Sequence, residues 1–139
     1  MTYSAVIRTQ ADLERMWRDL MGPLGFSGYS LWLIVLEPDG STTPVITEIT
    51  ECSPFPDEGP SRAGLVDVLR MLVTEAVPGG RVAFLRTRPG RDGINESDRA
   101  WAAMLYAAAR EAGGTVEVVH VANSVMLAPL PLDALRMAG

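Results

Sequence analysis

The chain has 139 residues, one domain's worth, and at this length a single core can bury about two thirds of the surface its unfolded chain exposes. Hydrophobic residues make up 47%, as in ordinary globular proteins, and the net charge of −5 disfavours nonspecific binding to nucleic acid or to anionic membranes. One cysteine, Cys52, excludes an intramolecular disulfide and a cysteine-based zinc site.

Thr9-Gln10-Ala11-Asp12 reads as a capping box with Asp in place of Glu. Leu13, Met16, Trp17, Leu20 and Met21 follow at one helical stripe, expected to face the core, and Gly22-Pro23 stops the helix. The opening residues lack the features of a signal peptide. No run is long and apolar enough to span a bilayer, so the cytoplasm is the expected compartment. Tyr29 to Glu37 is continuously apolar and rich in strand formers, which predicts a central strand covered on both faces. Glu37-Pro38-Asp39-Gly40 is a turn, and Thr43 to Glu51 alternates as a second, antiparallel strand. Glu48 and Glu51, three apart on that strand, point to opposite faces and cannot form an acid/base pair. Ser53 to Pro60 holds three prolines and must be a loop.

Ser61 is the expected cap of the next helix, with Leu65, Leu69, Leu72, Val73 and Ala76 as its buried stripe and Pro78-Gly79-Gly80 as its end. Arg81 to Arg88 is a strand. Asn95 is a good N-cap with Asp98 at N3, opening a helix that runs to about Ala112 on a Trp101, Leu105, Ala108, Ala112 stripe, with Met104 beside it. Gly113-Gly114 closes it, Thr115 to Ala122 is a strand, Val125 to Leu130 a last short one, and Leu132 to Met137 a C-terminal turn. The order α-β-β-α-β-α-β-(β) predicts a single α/β domain over residues 1–139, with a mixed sheet flanked by helices.

The strand-to-loop edge Arg86 to Asp98 carries the candidate site: Arg86, Arg88, Arg91, Asn95 and Asp98, with His120 on the following strand. Arginine has no lone pair for a cation and cannot serve as a general base. Arginines beside a helix N-terminus can hold a phosphate or carboxylate, and the alternative is an internal salt-bridge network answered by Asp92, Glu96 or Asp98. Four arginines against three carboxylates from Arg86 to Ala103 is near balance, which favours the network. By strand alternation His120, the one histidine, shares a face with Val116 and Val118 and reads as a packed, hydrogen-bonded core residue. Without a second histidine or a placed nucleophile, no hydrolytic triad is supported, no catalytic or metal-binding residue is assigned, and no cofactor is expected.

The segment Leu85-Arg-Thr-Arg-Pro-Gly-Arg-Asp-Gly-Ile-Asn-Glu-Ser-Asp98 resembles the JAB (JAMM/MPN) superfamily, above all its RadC-like branch. There a strand ends in His-x-His-Pro, a Gly/Pro-rich loop follows, and Ser-x-x-Asp opens a helix. The histidines and the aspartate hold zinc, and a glutamate before the first strand positions water for hydrolysis. Arg86 and Arg88 stand at the histidines, Pro89 at the proline, Asn95 at the serine and Asp98 at the aspartate, with a loop one residue shorter. Ser27-Gly-Tyr-Ser30 offers no carboxylate where the glutamate is expected. Glu117-Val-Val-His-Val-Ala-Asn123 resembles a later strand of the family carrying Asp-His-Leu-Ile, with His120 at its histidine and Val119 in place of its aspartate. The resemblance implies a JAB-like domain without its metal and base, acting as a scaffold or regulatory module on a protein partner or on itself as a homodimer. Trp32, Phe55 or Trp101 would supply the apolar partner surface. The alternatives are a sensor of a nucleotide or other small anion, using Arg86, Arg88 and Arg91, and a hydrolase of unrecognised type.

Overall fold

The computed structural model describes residues 4–57 and 60–137. The elements run α1 (Gln10–Met21), β1 (Ser30–Leu36), β2 (Thr42–Ile49), α2 (Pro60–Met71) with a π-helical turn Leu72–Ala76, β3 (Arg81–Thr87), α3 (Glu96–Ala112), β4 (Thr115–Val116), β5 (Val119–Ala122), β6 (Leu127–Leu130) and α4 (Leu132–Met137). Helix α1 begins where the capping box places it: the Thr9 hydroxyl accepts from the Asp12 amide, and the Asp12 carboxylate accepts from the Thr9 amide. Gly22 ends it in a positive-φ conformation. The turn into β2 needs glycine. Gly40 sits at φ +94 while its carbonyl accepts from the Ile7 amide, and a Cβ there would stand 2.2 Å from the Ile7 carbonyl oxygen.

The mixed sheet has the order β2-β1-β3-β5-β6, with β4 beside β3. β1 is antiparallel to both β2 and β3, β3 is parallel to β4 and β5, and β5 is antiparallel to β6. The architecture is therefore α/β with a mixed sheet between helices, as the element order leads one to expect. Leu31, Leu33 and Val35 of β1 lie on one face with Val82 and Phe84 of β3 and Val119 and Val121 of β5, under α2 and α3. Ile34 and Leu36, Ala83 and Leu85, and Ala122 face the other way, under Leu13, Met16 and Trp17 of α1. β1 is thus covered on both faces, which is why its sequence is apolar without alternation.

Several expectations need correction. The strand Thr115 to Ala122 is two: between the β4 and β5 pairings this chain carries one residue more than β3 does, a bulge at Glu117-Val118. One extra residue inverts the alternation, so Val116 packs on the α3 side while His120 faces α1. The bulge is anchored by the Glu117 amide donating to the Val82 carbonyl and by an Arg81–Glu117 ion pair. β2 ends at Ile49, and Glu51 lies beyond it with φ +57. Helix α2 begins at Pro60, so Ser61 falls inside its first turn, and its side chain lies outside the described residues. Ala76, expected on the buried stripe, is left exposed by the π-helical turn, and Val66 and Val77 are buried. Val125 lies outside β6 and is exposed, and the C-terminal turn is the short helix α4. No helix among the described residues is long and apolar enough to cross a membrane.

Candidate functional site: a buried arginine–aspartate cluster

Alternation along β3 sends Arg86 and Arg88 to the face that carries Val82 and Phe84, beyond the end of the apolar core. The loop after β3 then turns the chain into α3, whose first turn comes to rest against them. Asn95 caps α3: its Oδ1 accepts from the Asp98 amide at 2.9 Å and from Ser97 Oγ at 2.9 Å. The reciprocal bond runs from the Asn95 amide to Asp98 Oδ2 at 3.0 Å.

Both guanidinium groups reach the same carboxylate. Arg86 Nε donates to Asp98 Oδ1 at 3.0 Å, Arg88 Nε donates to the same oxygen at 2.8 Å, and Arg88 Nη2 donates to Oδ2 at 2.8 Å. With the Asn95 amide, Asp98 accepts four hydrogen bonds, about the capacity of a carboxylate. Arg88 also gives Nη1 to Asp92 Oδ1 at 2.9 Å and the Pro89 carbonyl at 3.2 Å, and Nη2 to the Gly93 carbonyl at 3.0 Å. All five of its N–H groups are then engaged. Arg86 gives Nη2 to the Pro54 carbonyl and to Ser97 Oγ, both at 3.0 Å, and its guanidinium carbon stands 5.2 Å from the Tyr29 ring centroid and 5.6 Å from that of Trp101.

Arg86, Arg88 and Asp98 are 2%, 2% and 0% exposed, so these are desolvated charges. Burial resists ionisation of Asp98, but hydrogen bonds from Arg88, the Asn95 amide and Arg86 outweigh it and hold the carboxyl below its ordinary range. The hydrogen bonds to Asp98 raise Arg88 above its ordinary value, whereas burial lowers Arg86 against the pull of the same carboxylate. A guanidinium starts so high that both arginines stay protonated.

Of the six candidate residues, the fold brings together Arg86, Arg88, Asn95 and Asp98. Arg91 is exposed on the loop. His120 is across the sheet beneath α1, so it shares no cleft with the arginines. It is fully buried, with Nδ1 3.1 Å from the Val118 carbonyl, as a packed core histidine would be. Of the three candidate partner aromatics, Trp101 is buried with Nε1 donating to the Ser53 carbonyl, Trp32 is half-buried, and Phe55 is exposed. Cys52 is half-buried, its thiol donating to the Ile49 carbonyl, and burial pushes its pKa up against the pull of Arg86.

Sequence reasoning passed over Ser97, Tyr29, Pro54 and Asn123. Fully buried Asn123 accepts from the Val125 and Met126 amides and donates Nδ2 to the Asp92 carbonyl at 2.6 Å, tying the arginine loop to the β5–β6 turn. Its readable signal is an Asn-Ser pair between two apolar runs, an Asx-turn pattern. Among the described residues, no group of three or more His, Cys, Asp or Glu side chains is placed to hold a metal ion.

The fork of Arg88 can be probed by itself. Arg88→Lys keeps the charge but offers three donors for five positions, and is expected to lower the free energy of unfolding by about 2 kcal/mol in a urea titration. A loss under about 0.5 kcal/mol, the scatter of ordinary surface substitutions, would show that the fork is not held as described. Compared with known proteins, the chain matches no family model, no curated protein and no solved structure.

Proposed function

We propose that this chain is a noncatalytic domain of the JAB/RadC-like kind, working in the cytoplasm as a binding or scaffold module for a protein partner or a second copy of itself. One observation carries the reading. Arg86 and Arg88, two apart on β3, converge on Asp98 at the third position of α3, so the three positions matched to zinc ligands by resemblance do meet in space.

The residues there do not fit zinc. Two guanidiniums bring positive charge and no lone pair, and the carboxylate's acceptor positions are filled by Arg86, Arg88 and the Asn95 amide. No hydrolytic step follows from such a set. The cluster is also a poor anion receptor, since every Arg88 N–H already has a protein acceptor. What remains is a rigid lock between strand end and helix start. It braces the neighbouring loop, whose Pro54 carbonyl accepts from Arg86 and whose Phe55 is 55% exposed.

Thermal unfolding with zinc, phosphate and nucleotides at constant ionic strength separates the readings. No saturable rise in Tm is expected from any of them. A rise with phosphate or a nucleotide that disappears in Arg86→Ala and Arg88→Ala would replace the scaffold by an anion sensor. Stoichiometric zinc, or hydrolysis abolished by EDTA, would replace it by an enzyme.

A further inference from the structure

The helical layer is narrower than the sheet. Helices α2 and α3 cover β1, β3 and β5, but on the face of β2 that carries Val45, Thr47 and Ile49 are left exposed by the described residues. A cleft of about 760 Å³ opens there, well within the range of small-molecule sites. Leu31 and Leu33 of β1 form its floor, Trp101 its back, and Ile49, Val68 and Met71 its walls. Ile49, Val68 and Met71 are 45%, 47% and 44% exposed, so the apolar walls face solvent.

Two features of the chain keep this cleft open and set its charge. Gly64 lies inside α2, where glycine costs about 1 kcal/mol relative to alanine. It lines the cleft, and a Cβ there would meet nothing within 4 Å, so no neighbour requires the glycine and any larger side chain would project into the opening. Glu51, the one non-glycine residue with positive φ among those described, turns the chain sharply after β2 and lies at the rim. Glu51 and Asp57 are the charged side chains among the described lining residues, and both are exposed. The nearby cations are committed elsewhere: Arg62 to Glu111, Arg70 to Asp67 and the Glu111 carbonyl, and Arg86, beyond Trp101, to Asp98.

From the apolar lining and the exposed carboxylates at its rim, we propose that the cleft binds a small apolar molecule bearing an ammonium group, its apolar body against Leu31, Leu33 and Trp101 and its cation toward Glu51 and Asp57. The proposal is independent of the role given to the arginine cluster, and each can fail without the other. A titration of the whole protein with phenylhexylammonium, phenylhexanol and phenylhexanoate, followed by amide and indole NMR shifts, tests it. Saturable shifts at Leu31, Gly64 and the Trp101 indole are expected. The ammonium should bind about two- to fivefold more tightly than the alcohol, the range set by a partly exposed ion pair, and the carboxylate should bind worst. Glu51→Gln/Asp57→Asn should equalise ammonium and alcohol while leaving the alcohol's affinity in place. Gly64→Leu, a better helix former, should keep the fold and abolish binding of all three. Carboxylate binding as tight as ammonium binding, a preference that survives the double neutralisation, shifts that map outside the cleft, or no saturable binding by any probe would each overturn the proposal.

Discussion

Asp98→Ala is expected to lower the free energy of unfolding by about 3–5 kcal/mol, the penalty for removing one partner of a buried ion pair. The side chain is fully buried and answers two guanidiniums that are themselves 2% exposed, so the truncation strands two desolvated cations. It also removes half of the capping box that starts α3. Against a total stability of about 5–15 kcal/mol for a domain, the loss is a large share, and Tm should fall by about 10–20 °C. Urea denaturation followed by far-UV circular dichroism measures it. Arg88→Met in the Asp98→Ala background should then cost less than Arg88→Met alone, because the stranded cation is gone. A loss under 1 kcal/mol for Asp98→Ala, or strict additivity of the pair, would show that the charges do not lean on one another.

The second large effect is a pH dependence on the other side of the sheet. His120 is completely buried beneath α1; its Nδ1 meets the Val118 carbonyl and its Nε2 finds no hydrogen-bond partner among the described residues. These contacts define the neutral imidazole with the proton on Nδ1, because a second proton would place an unpartnered cation in the core. Two charged groups of α1 act on the ring, Glu14 favouring protonation and Arg18 opposing it. Burial, the largest influence, holds the pKa below the ordinary 6.5. With a folded pKa below the unfolded one, the contribution to stability is complete above pH 6.5. It is lost as pH falls from there toward the folded value, because the unfolded chain takes up a proton that the native one refuses. The slope is bounded at about 1.4 kcal/mol per pH unit, the value for a single proton. This chain has a single histidine, and ordinary carboxylates titrate lower, so unfolding curves across that window isolate the effect. His120→Leu should flatten it. A wild-type curve already flat between pH 5 and 6.5 would mean that the ring is hydrated or charged in the native state.

Asp98 extends the acid sensitivity downward. Its folded pKa is also depressed, so its contribution is complete above the unfolded carboxylate value and is lost as pH falls through the folded one. Acid unfolding should therefore proceed in two stretches, histidine first and the aspartate cluster later.

Much of this was legible in the residues because it rests on local rules. Thr9 and Asp12, and Asn95 and Asp98, are side-chain caps acting within three residues, and both form as their sequence suggests. The spacing of Arg86 and Arg88 on a strand puts them on one face whatever the neighbours are, and near charge balance already pointed to an internal network. What escaped depends on contacts between distant segments. The bulge at Glu117-Val118 is invisible in an apolar run, since it exists only relative to the register of β3, yet it decides which side of the sheet His120 faces. The roles of Tyr29 and Pro54 come from loops that arrive at Arg86 from elsewhere in the chain. The cleft beside β2 arises from a mismatch of widths between sheet and helical layer, a property of packing that no single stretch encodes.

The reading of the arginine cluster as a filled metal position has one most direct test. The Arg86→His/Arg88→His variant, dialysed against zinc and then against zinc-free buffer, is analysed for bound metal by mass spectrometry. With two imidazoles beside Asp98, it is expected to retain about one zinc per chain and to melt higher with zinc than without; adding Asp98→Asn should remove both effects. A double variant that is folded by circular dichroism yet holds no zinc would contradict the assignment of these positions.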